Sequence, residues 1–106
     1  MSEHNPITVQ VELVAWITTF VGGTGSGSQV YEEELPAGAT VDAALRQLSQ
    51  RFPKLHQSLW DPEDRSAIGP HIEIIVNDAI LGVAHHLESP LNDGDRIILT
   101  GQYVGG

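Results

Sequence analysis

A single amphipathic helical segment lies between segments of alternating hydrophobicity, and this order limits the possible folds more than any other feature of the sequence. Within residues 41–52 the apolar residues recur at i, i+3, i+4, i+7 and i+11, which is the apolar stripe of a helix that packs on one surface. Thr40 is a good N-cap, Asp42 lies in the first turn where the helix dipole favours a carboxylate, and Pro53 stops the helix. We therefore predict one main helix over residues 41–51.

Five segments have the pattern of β-strands. The first alternates Ile7, Val9, Val11 and Leu13 with polar residues, although Val14 and Trp16 place apolar groups on its otherwise polar face. A covering loop or neighbouring strand would explain these two residues, and so would a partner-binding patch. The predicted strands are residues 7–17, 29–35, 71–77, 79–81 and 96–100, with a turn at Asn77-Asp78 between the third and the fourth.

One helix packed on one face of a mixed sheet makes a two-layer α+β domain, and 106 residues are typical of one domain, so we expect a single domain over 1–106. The first and last strands alternate most strongly. We expect them side by side at the centre, parallel to each other, because the intervening helix supplies the necessary crossover. The second strand is predicted antiparallel to the first, after a flexible glycine-rich connection at 22–28. Residues 53–70 are predicted to be a packed loop with at most a helical turn.

Charge and cysteine content exclude several classes of function. Five Lys and Arg residues against fourteen Asp and Glu residues give a net charge of −9. Neither nucleic acid nor an anionic membrane is therefore expected as a partner, since both require clustered cations. The chain has no cysteine, which removes disulfides, thiolate metal sites and cysteine nucleophiles. It also shows no secretory signal and no apolar run near the ~20 residues of a membrane span, so we expect a cytoplasmic protein.

The polar side chains form no recognisable catalytic or metal-binding motif. Adjacent His85 and His86 would point to opposite faces of an extended segment, and no histidine pair has helical metal-binding spacing. The glycine-rich segment 22–28 lacks the Lys-Ser/Thr of a phosphate-binding loop, and the glutamates at 32–34 would repel a phosphate. We therefore expect no metal, no bound cofactor and no catalytic residue.

The C-terminal segment has the properties of a substrate for another protein's active site. No charged side chain follows Arg96, and the chain ends in Gly105 and Gly106. Glycine can enter a narrow channel because it has no Cβ, and six extended residues reach about 20 Å. We expect a flexible tail over 101–106 with a reactive terminal carboxylate. Terminal residues are also often small and disordered without a function.

Several segments together resemble the ubiquitin-like sulfur-carrier proteins of the MoaD/ThiS family, which includes small subunits of molybdopterin synthase. The resemblance covers residues 7–106 and implies a ubiquitin-like β-grasp fold, with a mixed sheet of four to five strands packed on one main helix. The tail lacks the prolines that precede the glycines in many relatives. The segments that carry the resemblance are ELPAGATVDAAL at 34–45, RFP at 51–53, VND at 76–78, PLNDGD at 90–95 and VGG at 104–106.

In that family a ubiquitin-activating-type enzyme uses ATP to adenylate the terminal glycine, which then becomes a thiocarboxylate. The resemblance implies that Gly106 is the modified residue, that Gly105 passes through the enzyme's channel, and that Tyr103 and Val104 contact it. The implied partners are the adenylating enzyme, a sulfur donor and the large subunit of an acceptor synthase. The chain itself would be a carrier that binds no cofactor, with molybdopterin synthesis as the usual destination.

Val14, Trp16 and Ile98 are the expected docking surface for these partners, and the acidic chain would suit basic patches on them. Three other functions remain open at this point. The chain could be a protein modifier joined to lysines through the same tail, a permanent small subunit of a synthase, or an interaction module without tail chemistry. The loops at 22–28 and 61–70 are longer than in compact family members, and we favour decoration over partner contact for both.

Overall fold

The computed structural model describes residues 6–82 and 85–101 and contains a five-stranded mixed sheet with helices packed on one face. The strand order is β2-β1-β5-β3-β4, in which β1 and β5 are parallel and the other neighbours are antiparallel. This confirms the predicted α+β class. The elements are β1 (Ile7–Val14), a 3₁₀ helix (Ala15–Val21), β2 (Ser28–Leu35), α1 (Val41–Gln50), α2 (Pro53–Leu59), β3 (Ile72–Val76), β4 (Ala79–Ile80) and β5 (Arg96–Gly101).

The first and last strands lie side by side at the centre of the sheet, as predicted. Their parallel register runs from Gln10 opposite Arg96 to Leu13 opposite Leu99. Leu13 and Leu99 are fully buried on the face that the helices cover. Strand β5 therefore lies between two other strands as far as Leu99, and its last two residues, Thr100 and Gly101, pair with β3 alone.

Helix α1 begins and ends close to the predicted residues. The Thr40 hydroxyl accepts a hydrogen bond from the Ala43 N–H at 3.2 Å, which satisfies one of the free donors of the first turn. Val41, Leu45 and Leu48 are fully buried beneath the helix, so its apolar stripe faces the sheet as the periodicity predicts. The two-residue turn between β3 and β4 is also confirmed, with Asn77 and Asp78 both at positive φ.

The first strand is shorter than predicted, because the chain leaves the sheet at Ala15. This residue has a φ of +55°, and the next residues form the 3₁₀ helix. The Thr18 hydroxyl donates to the Ala15 carbonyl and the Thr19 hydroxyl donates to the Trp16 carbonyl, which satisfies backbone acceptors of this helix. Trp16 and Ile17 consequently do not continue the alternation of β1.

The glycine-rich connection is anchored to the 3₁₀ helix, whereas the sequence predicts a flexible hairpin connection. The Gly23 N–H donates to the Thr18 carbonyl at 2.8 Å, and the Gly25 N–H donates to the Thr18 hydroxyl at 2.9 Å. A Cβ on Gly23 would lie 2.8 Å from Thr18 Cβ and 2.5 Å from Gln29 Nε2. The glycine thus permits a close approach of the loop to the domain.

Residues 53–70 contain a second helix, α2, where the sequence predicts at most a helical turn. Pro53 occupies its first turn, a position that needs no backbone N–H donor. Leu55 and Leu59 are fully buried, so α2 packs one side against the core. The missed signal is the proline followed by two leucines four residues apart.

The loop after α2 is tied to α1 by Arg46. Its guanidinium lies 4.0 Å from the centroid of the Trp60 ring, and its Nη2 donates to the Arg65 carbonyl at 3.0 Å. Trp60 is itself 1% exposed and forms a β-bridge with Ile68. The loop at 61–70 is therefore held on the domain at several points.

The acidic turn of this loop is closed by local hydrogen bonds. Asp61 accepts from the backbone N–H groups of Glu63 and Asp64. Asp64 accepts from the hydroxyl and the backbone N–H of Ser66, and these two bonds hold the pKa of Asp64 below its ordinary value. These carboxylates are therefore already engaged within the loop.

Glu33, the middle residue of three successive glutamates, is buried on the helix-covered face of β2. Its side chain accepts from Arg51 Nη1 at 2.6 Å and from Gln47 Nε2 at 2.8 Å. The alternation of β2 places Glu33 on the same face as Leu35, and α1 carries the two donors above it. This ion pair joins the end of α1 to the sheet.

We expect Arg51→Leu to lower the free energy of unfolding by about 1–3 kcal/mol, since it leaves a buried carboxylate with one hydrogen-bond partner. Urea denaturation at neutral pH measures this. Arg65→Leu is the matched control, because Arg65 is exposed and only its carbonyl takes part in the described contacts. Equal stabilities of the two variants would contradict a stabilising role for the Arg51–Glu33 pair.

Candidate functional site

The end of β5 fixes the point from which the C-terminal tail extends. Gly101 pairs with Ile72 in the last step of the β3–β5 register. The predicted functional residues Tyr103, Val104, Gly105 and Gly106 lie outside the described residues. What the structure determines is therefore the attachment point of the tail at the end of a central strand.

Trp16 packs directly over this attachment point. A Cβ on Gly101 would lie 2.1 Å from Trp16 Nε1 and 2.5 Å from its Cε2, so only a glycine permits this contact. The indole also meets the Phe20 ring edge to face, with 5.6 Å between the ring centroids. Since Gly101 follows Ile97 and Leu99 in the alternation of β5, the indole lies on the helix-covered side of the sheet.

The three residues expected to form one docking surface are divided between the two faces of the sheet. Val14 and Ile98 are half-buried residues on the open face, which the helices do not cover. Trp16 lies on the opposite side because the strand ends at Val14, so the period-two argument that grouped it with Val14 does not apply. Only Val14 and Ile98 share a surface.

A row of residues crosses the open face from one edge to the other. Val30, Glu12 and Ile98 are neighbours on β2, β1 and β5, and the row continues to Ile75 on β3 and Ile80 on β4. Val30 is 51% exposed and Ile80 is 50% exposed, the most exposed large apolar side chains in the described part of the chain. We call these five residues the apolar row, although Glu12 interrupts it.

Of this row, the sequence pattern predicts only Ile98 at a docking surface. The neighbour of Ile98 on β3 is Ile75, and the sequence does indicate its position. Ile74, Ile75 and Val76 are consecutive apolar residues, whereas a strand with one solvent-exposed face normally alternates apolar and polar residues. Val30 and Ile80 give no such signal, because a single exposed apolar residue is ordinary on a protein surface. Only the strand register shows that Val30 and Ile80 belong to one row across the sheet.

Acidic side chains surround the apolar row. The register places Glu32, Glu34 and Glu73 on the same open face as Glu12, against a single arginine, Arg96. An apolar strip with a charged rim has the composition of a protein-binding surface. The rim would favour a partner with basic residues around an apolar centre.

The side chains described do not assemble a metal or phosphate site. Among residues 6–82 and 85–101, no three His, Asp or Glu side chains gather as metal ligands. In the glycine-rich connection, the N–H groups of Gly23 and Gly25 already donate to Thr18. None of the helices in the same residue ranges is long and apolar enough to cross a membrane.

Solved structures share this architecture. The small archaeal modifier protein 1 of Methanosarcina acetivorans is 22% identical with a TM-score of 0.72, over 96% of this chain and 99% of that chain. The Amycolatopsis orientalis BexX/CysO complex contains a chain that is 24% identical with a TM-score of 0.69, over 92% and 99% of the two chains. A Pyrococcus furiosus protein described as a putative molybdopterin converting factor, subunit 1, is 22% identical with a TM-score of 0.66, again over 92% and 99%.

At these identities the similarity shows a shared fold, and it confirms the ubiquitin-like β-grasp expected from the sequence. No curated protein sequence matches the chain. The model of the ThiS family matches residues 11–99, which extend from β1 into β5 and include both helices. The chain therefore belongs to the ThiS family of ubiquitin-like proteins.

Proposed function

We propose that this protein is a sulfur carrier whose Gly106 carboxylate is adenylated by a partner enzyme and then converted to a thiocarboxylate. The observation that carries the proposal is the placement of Gly101 at the end of a central strand, in a chain of the ThiS family. The five residues that follow Gly101 end in two glycines and contain no charged side chain. Such a segment suits insertion into another protein's active site.

The chemistry requires a partner because a carboxylate is a poor electrophile. A Gly106 carboxylate oxygen attacks the α-phosphorus of ATP, and pyrophosphate leaves. A hydrosulfide ion then attacks the acyl carbon, a C–S bond forms, the C–O bond to the phosphate breaks and AMP leaves, and loss of the S–H proton gives the thiocarboxylate. The activating enzyme supplies the metal and phosphate contacts, so the carrier needs neither.

The tail residues have separate tasks in this proposal. Gly105 and Gly106 pass through the narrowest part of the enzyme's channel because they have no Cβ. Val104 and Tyr103 follow and contact its wider entrance. The carrier contributes no catalytic side chain to either step.

The open face of the sheet is the proposed docking surface for the activating enzyme. The apolar row together with Val14 would supply the dry centre of the contact, and the acidic rim would steer a basic partner toward it. Docking through this face leaves the end of β5 free to point into the enzyme. The BexX/CysO complex is a solved complex of a protein with this fold, which supports a partner of some kind.

The sulfur would pass to a molybdopterin-type cofactor or another metabolite through the large subunit of an acceptor synthase. The Pyrococcus furiosus protein with this fold carries the description of a molybdopterin converting factor subunit, which favours the first destination. Since activation consumes ATP, we place the reaction in the cytoplasm.

A second function uses the same activated tail. The Methanosarcina acetivorans protein with this fold is described as a modifier protein, and this favours conjugation as the alternative. Attack of a lysine amine on the Gly106 adenylate would give an amide bond and release AMP. The carrier and the modifier differ only in the nucleophile that reaches the acyl carbon.

Co-expression with the ubiquitin-activating-type enzyme of the same organism and a sulfur source should convert the terminal carboxylate to a thiocarboxylate. Intact-mass spectrometry should then show one oxygen replaced by one sulfur. Deletion of Gly106 should abolish the change, while Glu3→Gln, near the other end of the chain, should preserve it. An unchanged mass, together with Gly106-dependent conjugates in a denaturing gel, would support the modifier and contradict the carrier.

The docking surface is tested by Ile80→Glu and Ile98→Glu, which place a carboxylate in the apolar row. We expect each to raise the KM for the carrier about tenfold, equivalent to ~1.4 kcal/mol of binding free energy, with little change in kcat. ATP–pyrophosphate exchange by the activating enzyme measures both constants.

Thr8→Glu is the matched control, since it adds the same charge to the same face two alternations away from Glu12. Ile80 is half exposed, so its replacement should leave the fold intact even if Ile98→Glu weakens it. A KM for Ile80→Glu equal to that of Thr8→Glu would place the docking surface elsewhere.

A further inference from the structure

The end of β5 extends beyond one of its two neighbouring strands. The pairing with β1 stops at Leu13 opposite Leu99, whereas the pairing with β3 continues to Gly101 opposite Ile72. Strand β1 stops here because the chain turns away at Ala15, whose φ is +55°, and enters the 3₁₀ helix. In the described part of the chain, the end of β5 is therefore paired on one side only.

The 3₁₀ helix brings an aromatic side chain back to this end of β5. Trp16, its second residue, lies against Gly101 on the helix-covered side of the sheet. A Cβ added to Gly101 would lie 2.1 to 2.7 Å from three indole atoms, Nε1, Cε2 and Cζ2. Phe20 of the same helix meets the indole edge to face. The indole thus covers the residues of β5 that β1 leaves unpaired.

A glycine at position 101 carries a cost that this contact must offset. Glycine in a strand has no side chain to pack, and it loses more backbone entropy on folding than other residues do. Ile97 and Leu99 precede it on the same face and are fully buried. A third apolar side chain would continue their pattern, but the indole occupies the space that its Cβ would need. The glycine therefore exchanges its own packing for a close approach of Trp16.

We propose that Trp16 is a positioning residue for the activation of the tail, because its indole holds the end of β5 in place through Gly101. The inference rests on the proposed function, since it concerns how fast the Gly106 carboxylate is adenylated. Misplacing a reacting group by about 1 Å can lower a rate on the order of 100-fold. Trp16 takes no part in the chemistry and acts only through the strand end. Adenylation precedes both sulfur transfer and conjugation, so the role is the same for a carrier and a modifier.

Trp16 lies on the opposite side of the sheet from the proposed docking surface. Val14 and Ile98 face the open side, whereas the indole lies on the helix-covered side. A change at Trp16 therefore leaves the docking contacts intact and alters the step that follows docking. The signature of positioning is a lower kcat at an unchanged KM, the reverse of the effect expected for Ile80→Glu.

Amide hydrogen exchange in the free protein tests the contact without an activating enzyme. The Asn77 N–H donates to the Arg96 carbonyl at 2.9 Å, so the alternation of β5 turns the N–H groups of Ile98 and Thr100 toward β3 as well. Trp16→Leu should speed exchange of the Thr100 N–H about tenfold, because local opening of the strand end becomes easier. The Ile98 N–H, where β5 has neighbours on both sides, should exchange as in the wild type. Unchanged exchange at Thr100 would contradict the inference.

ATP–pyrophosphate exchange by the activating enzyme tests the positioning role. Trp16→Leu and Gly101→Ala should each lower kcat about tenfold, with KM close to the wild-type value. Gly101→Ala retains the aromatic pair, so it tests the contact even if Trp16→Leu does not fold. Val21→Ala is the matched control, because it truncates another partly buried apolar side chain at the other end of the same 3₁₀ helix. It should leave both constants unchanged.

The double variant separates the contact from the two substitutions. Without the indole, a Cβ at position 101 has room, so adding Gly101→Ala to Trp16→Leu should cause little further loss of kcat. Losses that multiply in the double variant would contradict a direct contact.

The kinetic result also distinguishes this inference from the proposed function. The wild-type rate tests the proposed function, whereas the ratio of variant to wild-type kcat tests the positioning role. Wild-type kcat in both single variants, even with faster exchange at Thr100, would overturn the inference and leave Trp16 with a structural role alone.

Discussion

The parallel pairing of β1 with β5 determines where the C-terminal tail leaves the sheet. It places the last strand in the middle of the sheet, with Leu13 and Leu99 fully buried beneath the helices. Strand β5 has a neighbour on both sides as far as Leu99, and its last two residues remain paired with β3. The tail is therefore attached to a strand that the sheet holds in place, which suits the delivery proposed for it.

The two faces of the sheet differ in what covers them. The helix side is covered by α1 and α2, and the buried carboxylate of Glu33 on this side is paired with Arg51. The open side presents the apolar row within an acidic rim. The last residues of β5 contribute to both faces of the sheet. Ile98 lies on the open face, whereas Gly101 contacts Trp16 on the helix-covered side.

Much of this arrangement is predictable from the sequence, because alternation and helical periodicity report local burial. They place the helix at 41–51, the central pair of strands and the turn at Asn77-Asp78. They miss α2, because seven residues give too little periodicity to distinguish a short helix from a packed loop. They also extend β1 to residue 17, because the residue type of Ala15 gives no sign that its φ is positive. The apolar row was not predicted because it joins residues from five strands, and only the register brings them together.

The contact between Trp16 and Gly101 makes the attachment point of the tail observable by its own fluorescence. Indole emission depends on local polarity, and both tryptophans of the chain line a cleft of about 360 Å³ near this glycine. Trp60 is almost completely buried, whereas Trp16 is only partly covered and so is the one whose surroundings a visiting molecule can alter. The protein thus carries an intrinsic optical reporter where its tail begins, and the engagement of that tail can be followed without attaching a dye.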